Sequence, residues 1–247
     1  MLNKLETIVK QAGVIILKHY DKIEININIK SDGSPVTKAD IESEQLIVSK
    51  LKKNFSYPIV TEETPVKYGE RKKWEKYWLV DPLDGTEDFI NKNDEFTVNI
   101  ALIENHHPVL GIVYAPALNL MYTGHISAGS KKNGIPIYNK SKRRNLIAAD
   151  SRQNSTTETK KFLSRNNISK ILKIGSSLKL CSLAEGLIDV YPRFNGTKEW
   201  DTAAAHIICK EAGCKILDIQ TRKELVYNKK SIKNNYFIAS RNNLSFL

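Results

Sequence analysis

Cysteine is scarce in this 247-residue chain: Cys181, Cys209 and Cys214 are an odd count, with neither a CxxC pair nor zinc-type spacing. That excludes a disulfide framework and a structural zinc, and leaves ordinary reduced thiols. Long apolar runs are missing too. No segment approaches the ~20 apolar residues that a bilayer-spanning helix needs. The opening MLNKLETIVKQAGVIILKHY sets Lys4, Glu6, Lys10 and Lys18 among its apolar positions. It lacks the unbroken apolar stretch and cleavage site of a signal peptide, so we expect a mature chain that begins here and works in the cytoplasm. There is no internal repeat and no low-complexity linker. Zinc-finger spacing, an RNP-type aromatic motif and a strongly basic helix are likewise absent, which argues against the common nucleic-acid-binding modules.

What is present in excess is positive charge. A net charge of +11 points to an anionic partner: nucleic acid, an acidic membrane surface or a phosphorylated small molecule. It does not choose among them. The basic runs at 71–73, 131–132, 140–144 and 229–230 sit in apparent loops beside Asn and Ser, where they read as solvated surface. With 41% hydrophobic and 26% charged residues the composition is that of a globular protein of one or two domains.

Helices and strands alternate along the chain. Leu5, Ile8, Ala12 and Ile15–Ile16 predict an amphipathic helix over 3–20. The polar turn KSDGSPVTKAD leads to a second helix with Ile41, Val48 and Leu51 as apolar positions and a capping box of Thr37 with Asp40. Strands are expected at 58–61 and 77–80, then at FTVNIALI, where Phe96, Val98, Ile100 and Leu102 share one face. A strand, turn and strand should follow over 109–123. Further strands are expected near 146–150, 171–175, 187–191 and 215–218, with helices near 155–166, 176–185 and 201–212, the last ended by Gly213. Neighbouring strands lie close enough to pair antiparallel, which predicts an α+β layered fold.

The chemistry is concentrated in WLVDPLDGTEDF at 78–89. Pro82 is expected to stop the strand by removing a donor, Gly85 to permit a tight turn, and Thr86 to open a helix. Asp81 and Asp84 would then share a rigid corner, where two carboxylates repel unless one protonates or a cation lies between them. Mg2+ favours such oxygen ligands, and the Leu83 carbonyl could add another. The amides of Gly85 and Thr86 could face a phosphate. Two more acidic sites stand at element ends: Glu62 with Glu63 after a strand, and Asp201 in WDTAAAH at the start of an Ala-rich helix. Each also has an ordinary explanation, as a solvated loop, surface charge or a helix N-cap.

TEET, WLVDPLDGTEDF and WDTAAAH, with DGSPVTKAD upstream, resemble the inositol monophosphatase superfamily of Mg2+-dependent, lithium-sensitive phosphatases. DGTEDFI, EFTVNIALI, GIVYAP, GSSLK and YPRF look most like its 3′(2′),5′-bisphosphate nucleotidase branch, of the CysQ type. The resemblance covers essentially the whole chain. It implies an α-β-α-β-α sandwich in one compact unit, with an N-terminal half over 1–125 carrying most metal ligands and a C-terminal half over 126–247 carrying Asp201 and the nucleotide contacts.

Carried over residue by residue, the resemblance makes Glu62, Asp81, the Leu83 carbonyl, Asp84 and Asp201 the ligands of two Mg2+ ions, with a weaker third ion allowed near Glu62. It makes Thr86 and Asp40 the hydrogen-bonded pair that draws the proton from an attacking water. Glu63 is a further catalytic candidate. Ser176, Lys179 and Arg193 would contact the nucleotide and its second phosphate, with Gly85 and the metal-site residues lining the same substrate site. Lys179 could equally lie on a solvated helix face. Two departures stand out: Ser151–Asn154 reads SRQN where many relatives have SRSH, and Glu87 follows DGT where lysine is common. The expected activity is release of phosphate from adenosine 3′,5′-bisphosphate to give AMP, a step that clears a by-product of sulfate assimilation. An inositol or sugar phosphatase is the alternative, and a non-catalytic nucleotide sensor or a nucleic-acid binder a more distant one. No nucleic-acid partner is expected. Loose attachment to the inner membrane and the oligomeric state are left open.

Overall fold

The computed structural model describes residues 1–23, 27–30 and 33–246. Of the polar turn at 30–40, Ser31 and Asp32 lie outside the described residues. Helix α1 (Leu2–Tyr20) buries Leu5, Ile8, Val9, Ala12 and Ile16, the stripe its spacing predicts. A short hairpin, β1 (Ile27–Ile29) and β2 (Pro35–Thr37), leads into α2 (Lys38–Asn54). Thr37 caps α2, and its own amide donates to Asp40 Oδ2 at 2.7 Å. Of the apolar positions expected on α2, Leu51 is buried and Val48 half-buried but Ile41 is exposed, and Ala39, Ser43 and Ile47 complete the inward stripe. Polar side chains hid that stripe. Ser43 donates to the Pro82 carbonyl at 2.9 Å, and Glu44 accepts from Thr61, so this helix meets the sheet partly through hydrogen bonds.

The larger sheet has seven strands in the order β3 to β9: β3 (Ile59–Thr61), β4 (Lys76–Asp84), β5 (Thr97–Glu104), β6 (His107–Ala115), β7 (Leu120–His125), β8 (Gly129–Lys132) and β9 (Ile135–Ile137). Only β3 and β4 are parallel. Short helices α3 (Tyr68–Arg71) and α4 (Thr86–Ile90) flank β4. The smaller sheet has the order β11-β10-β12-β14-β13. Its elements in chain order are β10 (Ile147–Asp150), α5 (Thr157–Arg165), β11 (Lys170–Lys173), α6 (Leu178–Ala184), β12 (Val190–Arg193), α7 (Glu199–Glu211), β13 (Cys214–Asp218) and β14 (Phe237–Arg241).

Alternation along each strand separates three cores. Trp78, Val80, Val98, Ile100 and Ile112 pack against α1 and α2. Tyr77, Leu79, Ala101 and Val113 face the other way, against α6 and α7, which also cover Ile216, Phe237 and Ala239 of the smaller sheet. Ala148, Val190 and Ile238 meet Leu163 of α5 on the far side. The result is the α-β-α-β-α layering expected. Helix α7 lies very close to the larger sheet: a Cβ on Gly111 would collide with the Ala204 carbonyl, and one on Gly124 would fall 2.8 Å from Ile208 backbone atoms. The three cysteines are buried and unpaired. Among the described residues no helix is long and apolar enough to cross a membrane.

Candidate active site

Strand β4 does not stop at Pro82. It runs on to Asp84 with a slip in register, Asp81 pairing with Asn99 and Asp84 with Thr97. Pro82 sits in the bulge this creates, where its missing N–H costs no ladder bond, and the bulge re-aims the side chains around it. Gly85 then takes a φ of 88°, a left-handed conformation that favours glycine, and α4 begins at Thr86.

Carboxylate oxygens of Glu62, Asp81 and Asp201 lie within 4.8 Å of one another. Glu62 follows β3, Asp81 comes from the bulge, and Asp201 from the first turn of α7. Asp201 is not an N-cap. It is the third helical residue, and its Oδ2 accepts the Lys198 amide at 2.8 Å. Burial, followed by the charges of Glu62, Asp84 and Asp201, raises Asp81 well above the usual carboxylate range. Asp201 is pushed up to about 8 by burial first, then by Asp84 and Glu62. Buried carboxylates that crowd and repel in this way form an all-oxygen donor set suited to a hard divalent cation.

A cation that reaches this cluster is Lys30, which the sequence reading missed. Its ammonium lies 2.8 Å from Glu62 and 2.7 Å from Glu63. Burial opposes its charge, but the two glutamates outweigh burial and raise its pKa. Glu63 is pushed up to about 7 by burial, against the pull of Lys30. Asp84 borders the cluster, gripped from one side: its Oδ2 accepts from Ser176 Oγ at 2.6 Å, Ser177 N at 2.7 Å and Ser177 Oγ at 2.8 Å. The bonds recorded for its carboxylate among the described residues all fall on that oxygen, leaving Oδ1 for another partner. The Leu83 carbonyl accepts from Thr86 Oγ1 at 3.3 Å.

Thr86 Oγ1 also lies 3.3 Å from Asp40 Oδ1. Asp40 is buried, which raises its pKa, although the Thr37 hydrogen bonds and the Lys30 charge pull the other way. Its two expected roles are therefore divided between two atoms, Oδ2 capping α2 and Oδ1 facing Thr86.

Of these residues Glu62, Asp84, Thr86 and Asp201 line a cleft of about 320 Å³ that also takes in Gly85, Glu87, Gln153, Asn154, Ser176, Lys179 and Arg193. Lys179 is not on a solvated helix face. It is 7% exposed, donates to the Ile174 carbonyl at 3.2 Å and stands 5.7 Å above the Tyr191 ring. Burial lowers its pKa to about 8, with Asp84 opposing. Arg193 is anchored through Nε to the Asn195 carbonyl at 3.2 Å. The Ser176 hydroxyl points at Asp84 and Thr97 rather than into open space. Beyond Lys30, the sequence reading passed over Ser177, Asn99 and Tyr191. Ser177 could have been found inside GSSLK, whereas Asn99 looks like an ordinary inward strand position.

A catalytic-looking corner of this kind, set between two sheets of an α-β-α-β-α sandwich, defines a class. The chain belongs to the inositol monophosphatase family, whose profile matches residues 1–244. It is 40% identical over 225 residues to the 3′(2′),5′-bisphosphate nucleotidase CysQ of Escherichia coli strain K12, covering 89% of this chain and 91% of that protein. It is 39% identical over 228 residues to the CysQ nucleotidase of Buchnera aphidicola subsp. Acyrthosiphon pisum, covering 87% and 83%. The crystal structure of CysQ from Bacteroides thetaiotaomicron, a bacterial member of the same family, matches with a TM-score of 0.84 at 36% identity over 95% of this chain and 94% of that one. Metal dependence is general in this family, and Glu62, Asp81 and Asp201 form the cluster that could bind the ion.

Proposed function

We propose that the protein is a Mg2+-dependent phosphatase that removes the 3′-phosphate of adenosine 3′,5′-bisphosphate, yielding AMP and inorganic phosphate. The observation that carries this reading is one cleft lined by two chemically distinct sets of residues. Its lining carries Glu62 and Asp201, which form the acidic cluster with Asp81, and also the two cations Lys179 and Arg193. A monophosphate needs only the first. A bisphosphate also rewards the second, because arginine recognises phosphate through a planar fork and lysine as a point charge. The nucleotidase names carried by the similar proteins point the same way.

Glu62, Asp81, the Leu83 carbonyl, Asp84 and Asp201 would hold two Mg2+ ions, with Glu62 the place for a third. Bound there, Mg2+ supplies positive charge and Lewis acidity toward the phosphoryl group. Thr86 and Asp40 do the proton work: Thr86 accepts a proton from the attacking water as its own passes to Asp40 Oδ1. Glu63 keeps Lys30 beside the cluster, and the Gly85 and Thr86 amides face the reacting phosphate. Ser176 acts through Asp84. The product is consistent with a place in clearing a by-product of sulfate assimilation.

The test is phosphate release by the pure protein from adenosine 3′,5′-bisphosphate, inositol 1-phosphate and fructose 1,6-bisphosphate, with and without Mg2+. We expect the nucleotide to be preferred and chelation to abolish turnover. Preference for inositol 1-phosphate would favour the sugar-phosphatase alternative, and the absence of turnover on all three would favour a binding role.

A further inference from the structure

Asp84 owes its orientation to a turn that is itself under constraint. Three donors from Ser176 and Ser177 converge on Asp84 Oδ2. Ser176 holds a φ of 50°, a left-handed conformation that a residue with a side chain keeps only when its surroundings enforce it. Gly175 before it has no room for a side chain, since a Cβ would run into Asp88 Oδ2 and sit 2.7 Å from the Glu95 carbonyl.

The enforcing contact comes from Glu95, between α4 and β5. Its Oε2 accepts the Gly175 amide at 2.7 Å and also pairs with Arg152 Nη2. That same Arg152 nitrogen reaches the Lys173 carbonyl at 3.3 Å, and its Nε lies 3.7 Å from Asp88 Oδ1. One guanidinium therefore ties α4, the segment before β5 and the end of β11 together. Its backbone belongs to the stretch whose Ser151, Gln153 and Asn154 line the cleft. Neither Arg152 nor Glu95 is in the acidic cluster.

We propose that Arg152 and Glu95 are positioning residues: a latch that holds the 175–177 turn on Asp84 Oδ2, so that Oδ1 is presented to the metal site, and that fixes the cleft-rim loop to the same point. The proposal rests on the reading of Asp84 as a metal ligand. Removing either latch residue should loosen the turn first and weaken cation binding as a consequence, without touching a ligand. Because the two act in series through the Gly175 amide, their effects should not add.

Two measurements on the full chain test this. In the metal-free protein, hydrogen exchange at the Gly175 and Ser177 amides should quicken about tenfold in Arg152→Met and Glu95→Ala, the size expected when one charge-assisted hydrogen bond is lost. Calorimetric titration with Mg2+ alone, without nucleotide, should show binding weakened by about the same factor, with the double variant no weaker than the worse single one. Arg152→Lys should recover part of both effects, and Glu95→Gln, which retains an acceptor for Gly175, should lose less than Glu95→Ala. If the bulkier losses unfold the chain, these two size-conserving variants carry the test alone. Unchanged exchange at 175–177, or unchanged Mg2+ affinity in a folded variant, overturns the latch. A wild-type chain that binds no Mg2+ overturns instead the reading of the site as a metal centre, and the exchange result still decides whether the latch exists.

Discussion

Thr86 Oγ1 lies 3.3 Å from Asp40 Oδ1, while the Thr37 amide and hydroxyl hold the other oxygen of Asp40 at 2.7 and 2.6 Å. The acceptor behind the hydroxyl is thus fixed before substrate arrives. Thr86→Ala and Asp40→Asn should each reduce kcat on the order of a hundredfold, the range for losing a general base, with KM little changed. The double variant should be scarcely worse than the worse single one if the pair acts as a unit, as proposed. Independent, fully multiplying losses in a kinetic double-mutant cycle would remove the pairing from the mechanism. Since burial raises the pKa of Asp40, the acid limb of the rate profile should lie above the ordinary aspartate range.

The acidic cluster makes a thermodynamic prediction. Asp201 is pushed up to about 8 and Glu63 to about 7, and Asp81 is raised as well, whereas in the unfolded chain such groups ionise near pH ~4. Between those limits the folded metal-free chain binds more protons than the unfolded one, so its stability falls as pH rises. The penalty is absent below the unfolded values and complete above the folded ones. Mg2+ binds the ionised forms, so its increment in Tm should be larger near about pH 8 than near about pH 5. Scanning calorimetry with and without Mg2+ checks this, and equal increments at both pH values would contradict it.

Replacing Asp84 or Asp201 with asparagine should sharply lower both turnover and Mg2+ affinity, with a change in Tm within a few degrees. In Asp201→Asn the new amide oxygen would still accept the Lys198 N–H that Asp201 now accepts at 2.8 Å, and in Asp84→Asn it would still accept the Ser177 donors. Full activity of Asp84→Asn at low Mg2+ would show that this carboxylate is not a ligand.

If Lys179 and Arg193 hold the second phosphate, they should separate a bisphosphate from a monophosphate. Lys179→Ala and Arg193→Ala should each cut kcat/KM for adenosine 3′,5′-bisphosphate roughly ten- to a hundredfold, the size of one charge-assisted contact, and barely alter hydrolysis of inositol 1-phosphate. Because burial lowers Lys179 to about 8, its charge is lost as pH rises through that value, and KM for the bisphosphate should climb there in the wild type but not in Lys179→Ala. Equal losses on both substrates would assign these cations to the fold or to the reacting phosphate.

Gly111→Ala tests how the site is assembled. The added methyl would collide with the Ala204 carbonyl, so α7 must shift, costing about 1–3 kcal/mol for overpacking. Because α7 carries Asp201, Mg2+ affinity should fall along with Tm. A drop in Tm with no change in affinity would show that Asp201 is positioned independently of this contact.

Local patterns were legible in the sequence because a few neighbouring residues carry them. The α1 stripe, the Thr37–Asp40 cap, the Gly85 turn and the inward face of Phe96, Val98, Ile100 and Leu102 all arise from spacing or from one residue's backbone preference. The acidic residues were nameable for a related reason: Glu62 and Asp84 stand at strand ends, Asp201 opens a helix, and Asp81 stands beside the proline that marks the bulge. Locally weak elements were missed. The short strand β8 and the edge strand β9 beside it have little apolar pattern, and the interior strand β14 (Phe237–Arg241) follows a polar run that reads as loop. The bulge at Pro82 was missed because its cause is the pairing with Asn99 and Thr97 on another strand.

Only the tertiary structure decided which carboxylates meet and which cations serve them. Lys30 reaches Glu62 and Glu63 across more than thirty positions, and Ser177 reaches Asp84 across more than ninety. No periodicity encodes such pairs, since they exist only when the hairpin, the larger sheet and the turn before α6 close on one another. In Asp40, Asp81, Asp84 and Asp201 one oxygen of each carboxylate is already held by the scaffold: by Thr37, the Leu83 amide, the 175–177 turn and the Lys198 amide. The sequence determined that acids would stand at these ends. Local turns decide which oxygen Asp40, Asp81 and Asp201 give to the fold, their donors lying two or three residues away. Only packing, by contrast, brings the 175–177 turn to Asp84, because a buried carboxylate keeps its place when donors offset its desolvation.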